Sequence, residues 1–166
     1  MRFLDAAACG RWSARLGSVD PADAAVAGEE EAGWGRAPGS IENLAASRQM
    51  WLAEWTVRWL FERDPSEALI WVKQTGVFNE NLFLYRLLRR KHLSVDGVDQ
   101  TPGHLFGRDE REDGVALLFL AMVNGWDVLV VSRYGDRCVH VSHDGLVNAR
   151  GRSAEERAKF LGSVPK

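Results

Sequence analysis

The clearest pattern of apolar and polar positions lies in the second half of the chain. A run of apolar residues at helical spacing ends at Asn124-Gly125, and such a pair supplies the left-handed residue with which many helices end. The next apolar run, residues 127–132, is nearly continuous, as expected of a strand buried on both faces. Tyr134-Gly135-Asp136 is typical of a turn, and residues 137–142 return with alternation. The pattern predicts a helix from about residue 109, followed by an antiparallel β-hairpin.

Tryptophan recurs at every fourth position in the first half of the chain, as Trp51, Trp55 and Trp59. Each step of four residues turns about forty degrees around a helix, so all three rings can face one side. Ser40 is a suitable N-cap for this helix. We therefore predict a helix over residues 41–63 that covers one face of a sheet with its apolar side. The spacing leaves open whether all three rings are buried.

Weaker patterns predict the remaining elements. The short apolar run at residues 68–73 contains the β-branched and aromatic residues that strands favour. Asn79 can cap a helix that ends in a basic cluster near His92, where positive charge suits the helix dipole. Another helix is expected after Ser153, which forms a capping box with the glutamate three residues later. A short amphipathic helix is expected within residues 3–16.

Together these elements predict an α/β fold of the α+β type. Helices pack on a small mixed sheet of about three strands, which ends in a C-terminal β-hairpin, and Trp126 at the start of that hairpin is expected to be largely buried. With 166 residues, 46% of them hydrophobic, the chain has enough apolar surface for one core. We expect a single α/β domain over residues 40–166, preceded by an N-terminal helix and a partly irregular linker over residues 1–39.

The charge and cysteine content argue against several classes of protein. The 21 basic and 23 acidic residues give a formal net charge of -2, which offers no strong field to attract nucleic acid. Only Cys9 and Cys138 are present, too far apart in sequence to indicate a disulfide framework or a cysteine-based zinc site. No stretch approaches the ~18 consecutive apolar residues of a membrane span. We expect a cytoplasmic protein that binds neither nucleic acid nor a membrane.

Two histidines and an aspartate lie close together at the end of the hairpin, as His140, His143 and Asp144. With His104 from an upstream loop they form a candidate polar corner, since histidine and carboxylate sets can hold zinc or iron. Alternate strand positions face opposite sides, so the corner forms only if the strand ends before His143 and the chain turns. A metal site of His104, His143 and Asp144 in a metal-assisted hydrolase is therefore one hypothesis. No cofactor is otherwise predicted.

Four basic residues lie near the end of the helix that Asn79 begins: Arg86, Arg89, Arg90 and Lys91. The ordinary explanation is that positive charge stabilises the C-terminal end of a helix. The alternative is an anion-binding domain that takes phosphate or an acidic partner in this cluster.

Four segments of the sequence resemble segments of known proteins: residues 81–86, 102–106, 124–127 and 142–144. They resemble a family of small uncharacterised bacterial proteins, over about residues 68–146. No function is attached to that family, so the resemblance implies no reaction, cofactor or catalytic residue. It does imply that this region forms one structural unit.

The least demanding hypothesis for the function is a non-catalytic protein-binding or accessory domain of a soluble bacterial protein. An immunity protein is one example of this class. The chain has no Gly-x-Ser-x-Gly sequence, Walker-type loop or dinucleotide-binding glycine motif. Trp34 lies alone between two glycines, as is typical of a ring that docks on a domain or on a partner. Tryptophan and arginine are also enriched among interface hot spots. The expected partner is another protein, contacted by Trp34 or the basic cluster, and the protein is expected to be a monomer or a homodimer.

Overall fold

The computed structural model describes residues 1–16, 33–62, 66–75 and 82–165. Within these ranges the chain forms one seven-stranded sheet and five α-helices. In chain order the elements are β1 (Arg2–Leu4), α1 (Ala6–Ser13), β2 (Trp34–Ser40), α2 (Ala46–Phe61), β3 (Glu67–Gln74), α3 (Leu82–Lys91), β4 (Gly103–Gly107), α4 (Arg111–Val123), β5 (Asp127–Ser132), β6 (Cys138–Val141), β7 (Leu146–Arg150) and α5 (Ala154–Gly162). None of the described helices is long and apolar enough to cross a membrane.

Neighbouring strands of the sheet all run antiparallel, in the spatial order β1-β4-β3-β5-β6-β7-β2. The prediction of a mixed sheet of about three strands is therefore wrong, because it missed β1, β2, β4 and β7. These strands are short or rich in glycine, and β2 also contains Pro38. Proline is tolerated in β2 because an edge strand leaves one side without ladder hydrogen bonds. Pairing with distant neighbours makes these segments strands.

The predicted hairpin is confirmed, since β5 and β6 pair antiparallel and Gly135 in the connecting turn has a φ of +69°. The helix before it is α4, which ends at Asn124-Gly125 with the glycine at a φ of +59°. The predicted strand at residues 68–73 corresponds to β3. The capped C-terminal helix is α5, where Ser153 Oγ accepts a hydrogen bond from Glu156 N at 3.1 Å.

The tryptophan helix, α2, is shorter than the 41–63 that the sequence predicts. It begins later because Ser40 belongs to β2 and the residues after it form a turn. Trp59 is buried and Trp55 is half-buried, whereas Trp51 is 44% exposed. The structure thus settles a point that the sequence left open, and Trp51 lies outside the core. A drift of about forty degrees per step carries this ring, two steps from Trp59, away from the buried face.

The first forty residues contribute more to the sheet than the sequence suggests. Residues 3 and 4 of the expected first helix lie in β1, and α1 starts after them. β2 ends at Ser40, so this strand crosses the predicted boundary between linker and domain. Most of the predicted linker lies outside the described residues, and so does the predicted helix cap Asn79.

The sheet is covered by helices on both faces, with the larger core under α2, α4 and α5. There, alternate strand residues such as Ile70 and Val130 pack against the helices, and Trp126 is buried among them as predicted. On the other face, Cys9 of α1 packs against Leu69 of β3. Neighbouring residues of one strand therefore enter different cores, because side chains alternate across a sheet.

Candidate functional site on helix α3

Helix α3 brings Tyr85 and Arg89 against the edge of the sheet. These two residues are the buried ones of the helix, and a spacing of four places them on the same face. Tyr85 Oη lies 2.8 Å from Nε2 of His104 in β4. The guanidinium carbon of Arg89 lies 4.2 Å from the centre of the Phe3 ring in β1. Since Phe3 pairs with His104 across the two strands, the site is built from α3, β1 and β4 together.

The hydrogen bonds among these residues run in one direction. Nδ1 of His104 lies 3.4 Å from the carbonyl oxygen of Ile70, so the ring carries its proton on Nδ1 and Nε2 accepts from the Tyr85 hydroxyl. Arg89 Nη1 in turn donates to the Tyr85 oxygen at 2.6 Å. Burial, and then the charge of Arg89, lower the pKa of His104 to about 3. Burial raises the pKa of Tyr85 to about 12, so at neutral pH the arginine is the only charged member of the three.

Arg89 is a buried cation whose hydrogen-bond partners are all uncharged. The residue is 2% exposed. Besides Tyr85, Nη1 donates to the carbonyl oxygen of Thr101 at 2.8 Å, while Nη2 donates to Ser94 Oγ at 3.0 Å and to Thr101 Oγ1. Nε has no hydrogen-bond partner, and within the described ranges no carboxylate forms an ion pair with this guanidinium. Burial of a charge without a counter-charge is unfavourable.

A cavity of about 470 Å³ lies beside Arg89. Helix α3 supplies one wall with Arg86, Arg89 and Arg90, and the loop after the helix supplies another with Asp96 and Asp99. Arg86 and Arg90 are exposed and, among the residues that the structure describes, make no hydrogen bond or ion pair. Positive charge is therefore concentrated on the helix side of the cavity.

Apolar side chains are exposed on the outer side of α3. Phe83 is 64% exposed, Leu84 51% and Leu87 45%. In the loop that follows, Leu93 and Val95 are each 93% exposed. These five residues are called the α3 apolar surface below. Extended apolar patches on a globular protein are typical of interaction sites.

Leu93 also has an unusual backbone conformation. Its φ is +61°, and it occupies the position just after the helix end in a Schellman motif, where glycine is usual. In this motif Ser94 N donates to the Arg89 carbonyl at 3.1 Å, and Leu93 N donates to the Arg90 carbonyl at 2.9 Å. A branched side chain in this conformation costs roughly 1–2 kcal/mol. The leucine is thus strained, and its exposed side chain contributes nothing to the described core.

The predicted polar corner forms only in part. His143 Nδ1 lies 3.0 Å from Asp127 Oδ2, and His143 N donates to Asp127 Oδ1 at 2.8 Å. His140 Nε2 lies 3.9 Å from the same carboxylate, and Asp144 Oδ1 lies 3.4 Å from His143 Nε2. The hydrogen bond and charge of Asp127 raise the pKa of His143. His104 does not join this group, because it is buried in β4 and bonded to the tyrosine of α3.

Strand register places His104 and His140 on opposite faces of the sheet. Across the sheet, His104 aligns with Ile70 and, two strands further, with Val139, on the side of the larger core. His140 is the next residue along β6, so its side chain faces the opposite side of the sheet. The set predicted to bind a metal is therefore not brought together. In the described parts of the chain, no group of three or more His, Cys, Asp or Glu residues could hold a metal ion.

The remaining predicted site residues divide between core and surface. Trp34 is buried, because β2 pairs with β7 and lays the ring on the sheet, so the ring docks on its own domain, which is one of the two alternatives that the sequence left open. Lys91 holds α3 to α4, with Nζ 2.6 Å from Asp113 Oδ1. Of the basic cluster, Arg86 and Arg90 are the two that remain exposed without a described partner.

Sequence reasoning missed Tyr85, Ser94 and Thr101, the uncharged partners of Arg89. The spacing of four between Tyr85 and Arg89 was the available signal, since it places both on one helix face. Ser94 and Thr101 lie in a loop, and no periodicity predicts where loop side chains point. Asp127 was predicted only as the start of a strand, although its carboxylate lies next to the rings of both His140 and His143.

Comparison of the chain with protein-family models, with curated proteins and with solved structures gives no match. The resemblance over residues 68–146 to small bacterial proteins therefore stays a prediction. The functional proposal is based on helix α3 and its surroundings, since they combine exposed apolar side chains with a buried cation that forms no ion pair among the described residues.

Proposed function

We propose that this protein is a non-catalytic protein-binding domain and that its partner covers the α3 apolar surface. The main support is the exposure of five large apolar side chains within residues 83–95. The strain at Leu93 adds to it, because burial of a leucine side chain contributes about 1.5–3 kcal/mol. That gain offsets the roughly 1–2 kcal/mol cost of the left-handed backbone. A partner that covers Leu93 would therefore account for a side chain that the isolated chain leaves in water.

The charge of α3 indicates the chemistry of the partner. The helix contains Arg86, Arg89, Arg90 and Lys91 and no acidic residue. Arg86, Arg90 and Lys91 are exposed on the same helix as the apolar surface, and of these only Lys91 is paired with a described carboxylate, that of Asp113. Complementary surfaces place negative charge opposite positive charge, and amphipathic helices bind through apolar residues spaced along one face. We therefore propose that the partner contributes an amphipathic segment that carries apolar and acidic residues.

The proposal also includes an accessory role, for example of the immunity type, in the cytoplasm of a bacterium. Cys9 and Cys138 are both free and buried, which fits a reducing compartment. The metal-assisted hydrolase receives no support from the described geometry, because β4 holds His104 away from His143 and Asp144.

Acidic substitutions on the surface test the proposal. In the variant Phe83→Asp, Leu87→Asp both changed side chains are exposed, so the free energy of unfolding should change by no more than about 0.5 kcal/mol per site. The matched control is Val123→Asp, at an exposed apolar position on α4. Proteins captured from the native host are quantified for all three forms. We expect a partner that the unmodified protein and the control retain and the α3 variant loses at least about tenfold.

Two further measurements decide what occupies the surface. The acidic segment of the captured partner, once purified, should bind the unmodified protein and not the α3 variant. A partner retained equally by the α3 variant, or no specific partner of the unmodified protein, would contradict the proposal. Sedimentation gives the oligomeric state, and a homodimer that dissociates in the α3 variant would assign the surface to a second copy of the chain.

A further inference from the structure

We infer that the cavity beside Arg89 is a binding site for a carboxylate or phosphate group. The inference goes beyond the protein-binding role, because the site requires only the anionic group and not a protein partner. It rests on the distribution of charge around the cavity and on the way Arg89 is held.

The charge on the helix wall is unbalanced. Arg86, Arg89 and Arg90 are spaced three and four residues apart, which places them on one side of α3, and all three line the same cavity. Like charges at this spacing destabilise a helix. None of the three forms an ion pair with a carboxylate in the described part of the chain. An anion in the cavity would supply the missing counter-charge to all three.

Arg89 is also held rigidly, as the cation of a binding site must be. Both terminal nitrogens of its guanidinium are engaged by neutral oxygens of Tyr85, Ser94 and Thr101. These bonds fix the orientation of the group without neutralising it. Nε is the one donor nitrogen left over. A charge that is fixed in advance and poorly hydrated attracts an anion more strongly than a mobile charge in water, because no ordering is needed when the anion binds.

The wall formed by the loop after α3 limits the kind of anion. Asp96 and Asp99 line the same cavity from the loop after α3, and neither forms an ion pair with an arginine among the described residues. Their negative charge repels a polyanion that would fill the whole space. The ligand class is therefore a molecule with one carboxylate or phosphate group at the arginine wall and uncharged or hydrogen-bond-donating groups towards the aspartates.

Titration with small anions, followed by nuclear magnetic resonance, tests the site directly. Inorganic phosphate and acetate are added separately, each compared with sodium chloride at the same ionic strength, while the Nε–H signal of Arg89 and the amide signal of Ser94 are recorded. We expect one of the two anions, and not chloride, to shift both signals to saturation. Saturation with phosphate assigns the phosphate class, and saturation with acetate assigns the carboxylate class.

Two variants separate binding from folding. Arg86→Gln, Arg90→Gln changes exposed side chains only and should weaken binding of the effective anion at least about tenfold. The matched control Arg58→Gln, exposed on α2 and lining another cavity, should bind as the unmodified protein does. The variant Asp96→Asn, Asp99→Asn should bind more tightly, by about threefold or more, since it removes repulsion. Damage to the fold cannot produce such a gain.

Two results of the titration would overturn the inference. One is that neither phosphate nor acetate gives saturable shifts, and the other is that chloride shifts the signals equally. An arginine double variant that keeps the affinity of the unmodified protein would show that the anion binds elsewhere. An aspartate double variant that binds no more tightly would show that the loop wall does not face the bound anion.

Discussion

Replacement of His104 by glutamine is expected to remove part of the protein's sensitivity to acid. His104 is fully buried, and its pKa is about 3 in the folded protein against 6.5 for an ordinary histidine. As the pH falls below 6.5, the unfolded chain takes up a proton here that the folded protein does not bind until about pH 3. The contribution of neutral His104 to the free energy of unfolding is therefore fully present above the pKa that the residue has in the unfolded chain. This contribution is lost progressively as the pH falls towards the folded pKa.

The size of the effect follows from the two pKa values. Each pH unit between them changes the free energy of unfolding by about 1.4 kcal/mol. Between pH 7 and pH 4 the protein crosses about 2.5 units of this window, so the loss assigned to His104 is about 3 kcal/mol. A domain has a total stability of about 5–15 kcal/mol, so a change of this size moves the denaturation midpoint measurably.

Urea unfolding of both proteins at pH 7, 6, 5 and 4 measures the effect. Glutamine can still accept the hydrogen bond from Tyr85, and the quantity compared is the change of stability with pH, not the stability at pH 7. Carboxylates whose pKa is lowered, such as Asp113 and Asp136, also weaken the fold in acid but contribute equally to both proteins. The unmodified protein should lose about 3 kcal/mol more than His104→Gln. Equal losses would refute a neutral, buried His104.

Substitutions elsewhere test other local features. His143→Gln should lower the melting temperature more below pH 6.5 than well above the raised folded pKa, because Asp127 stabilises the protonated ring more than the neutral ring. Leu93→Gly should raise the free energy of unfolding by about 1 kcal/mol in urea, since a positive φ suits glycine. Gly114→Ala should lower it by about 1–3 kcal/mol, because an added Cβ would lie 2.3 Å from the Phe106 ring. Gly10→Ala, with open space around the added Cβ, should raise it by about 0.5–1 kcal/mol.

Each of these outcomes has a distinct contrary result. An effect of His143→Gln that does not vary with pH would mean that the histidine contributes through packing and not through its charge. Destabilisation by Leu93→Gly would show that contacts of the leucine outweigh its backbone strain. If Gly114→Ala were as harmless as Gly10→Ala, the packing of α4 on β4 would be looser than the structure shows.

The elements with strong local signals could be predicted from the sequence. α4, β5 and β6 follow from the apolar spacing of their own residues and from the glycines at their turns, Gly125 and Gly135. β4 could not be predicted, because it has five residues of which two are glycine. It is a strand because β1 and β3 pair with its two sides. β2 depends in the same way on β7, and periodicity within a segment carries no information about such partners.

For the candidate site too, the features that depend on neighbouring residues could be predicted, and the features that depend on residues far away in sequence could not. Local patterns were sufficient for an α/β fold, for a basic helix end and for a hairpin followed by histidines, because each depends on residues a few positions apart. The folded arrangement was needed to show that Arg89 is buried while Arg86 and Arg90 are not, and that His104 meets Tyr85 instead of His143. The direction of a strand side chain follows from its register against partners far away in sequence, here Ile70, 34 residues before His104. That register exists only once the sheet has formed.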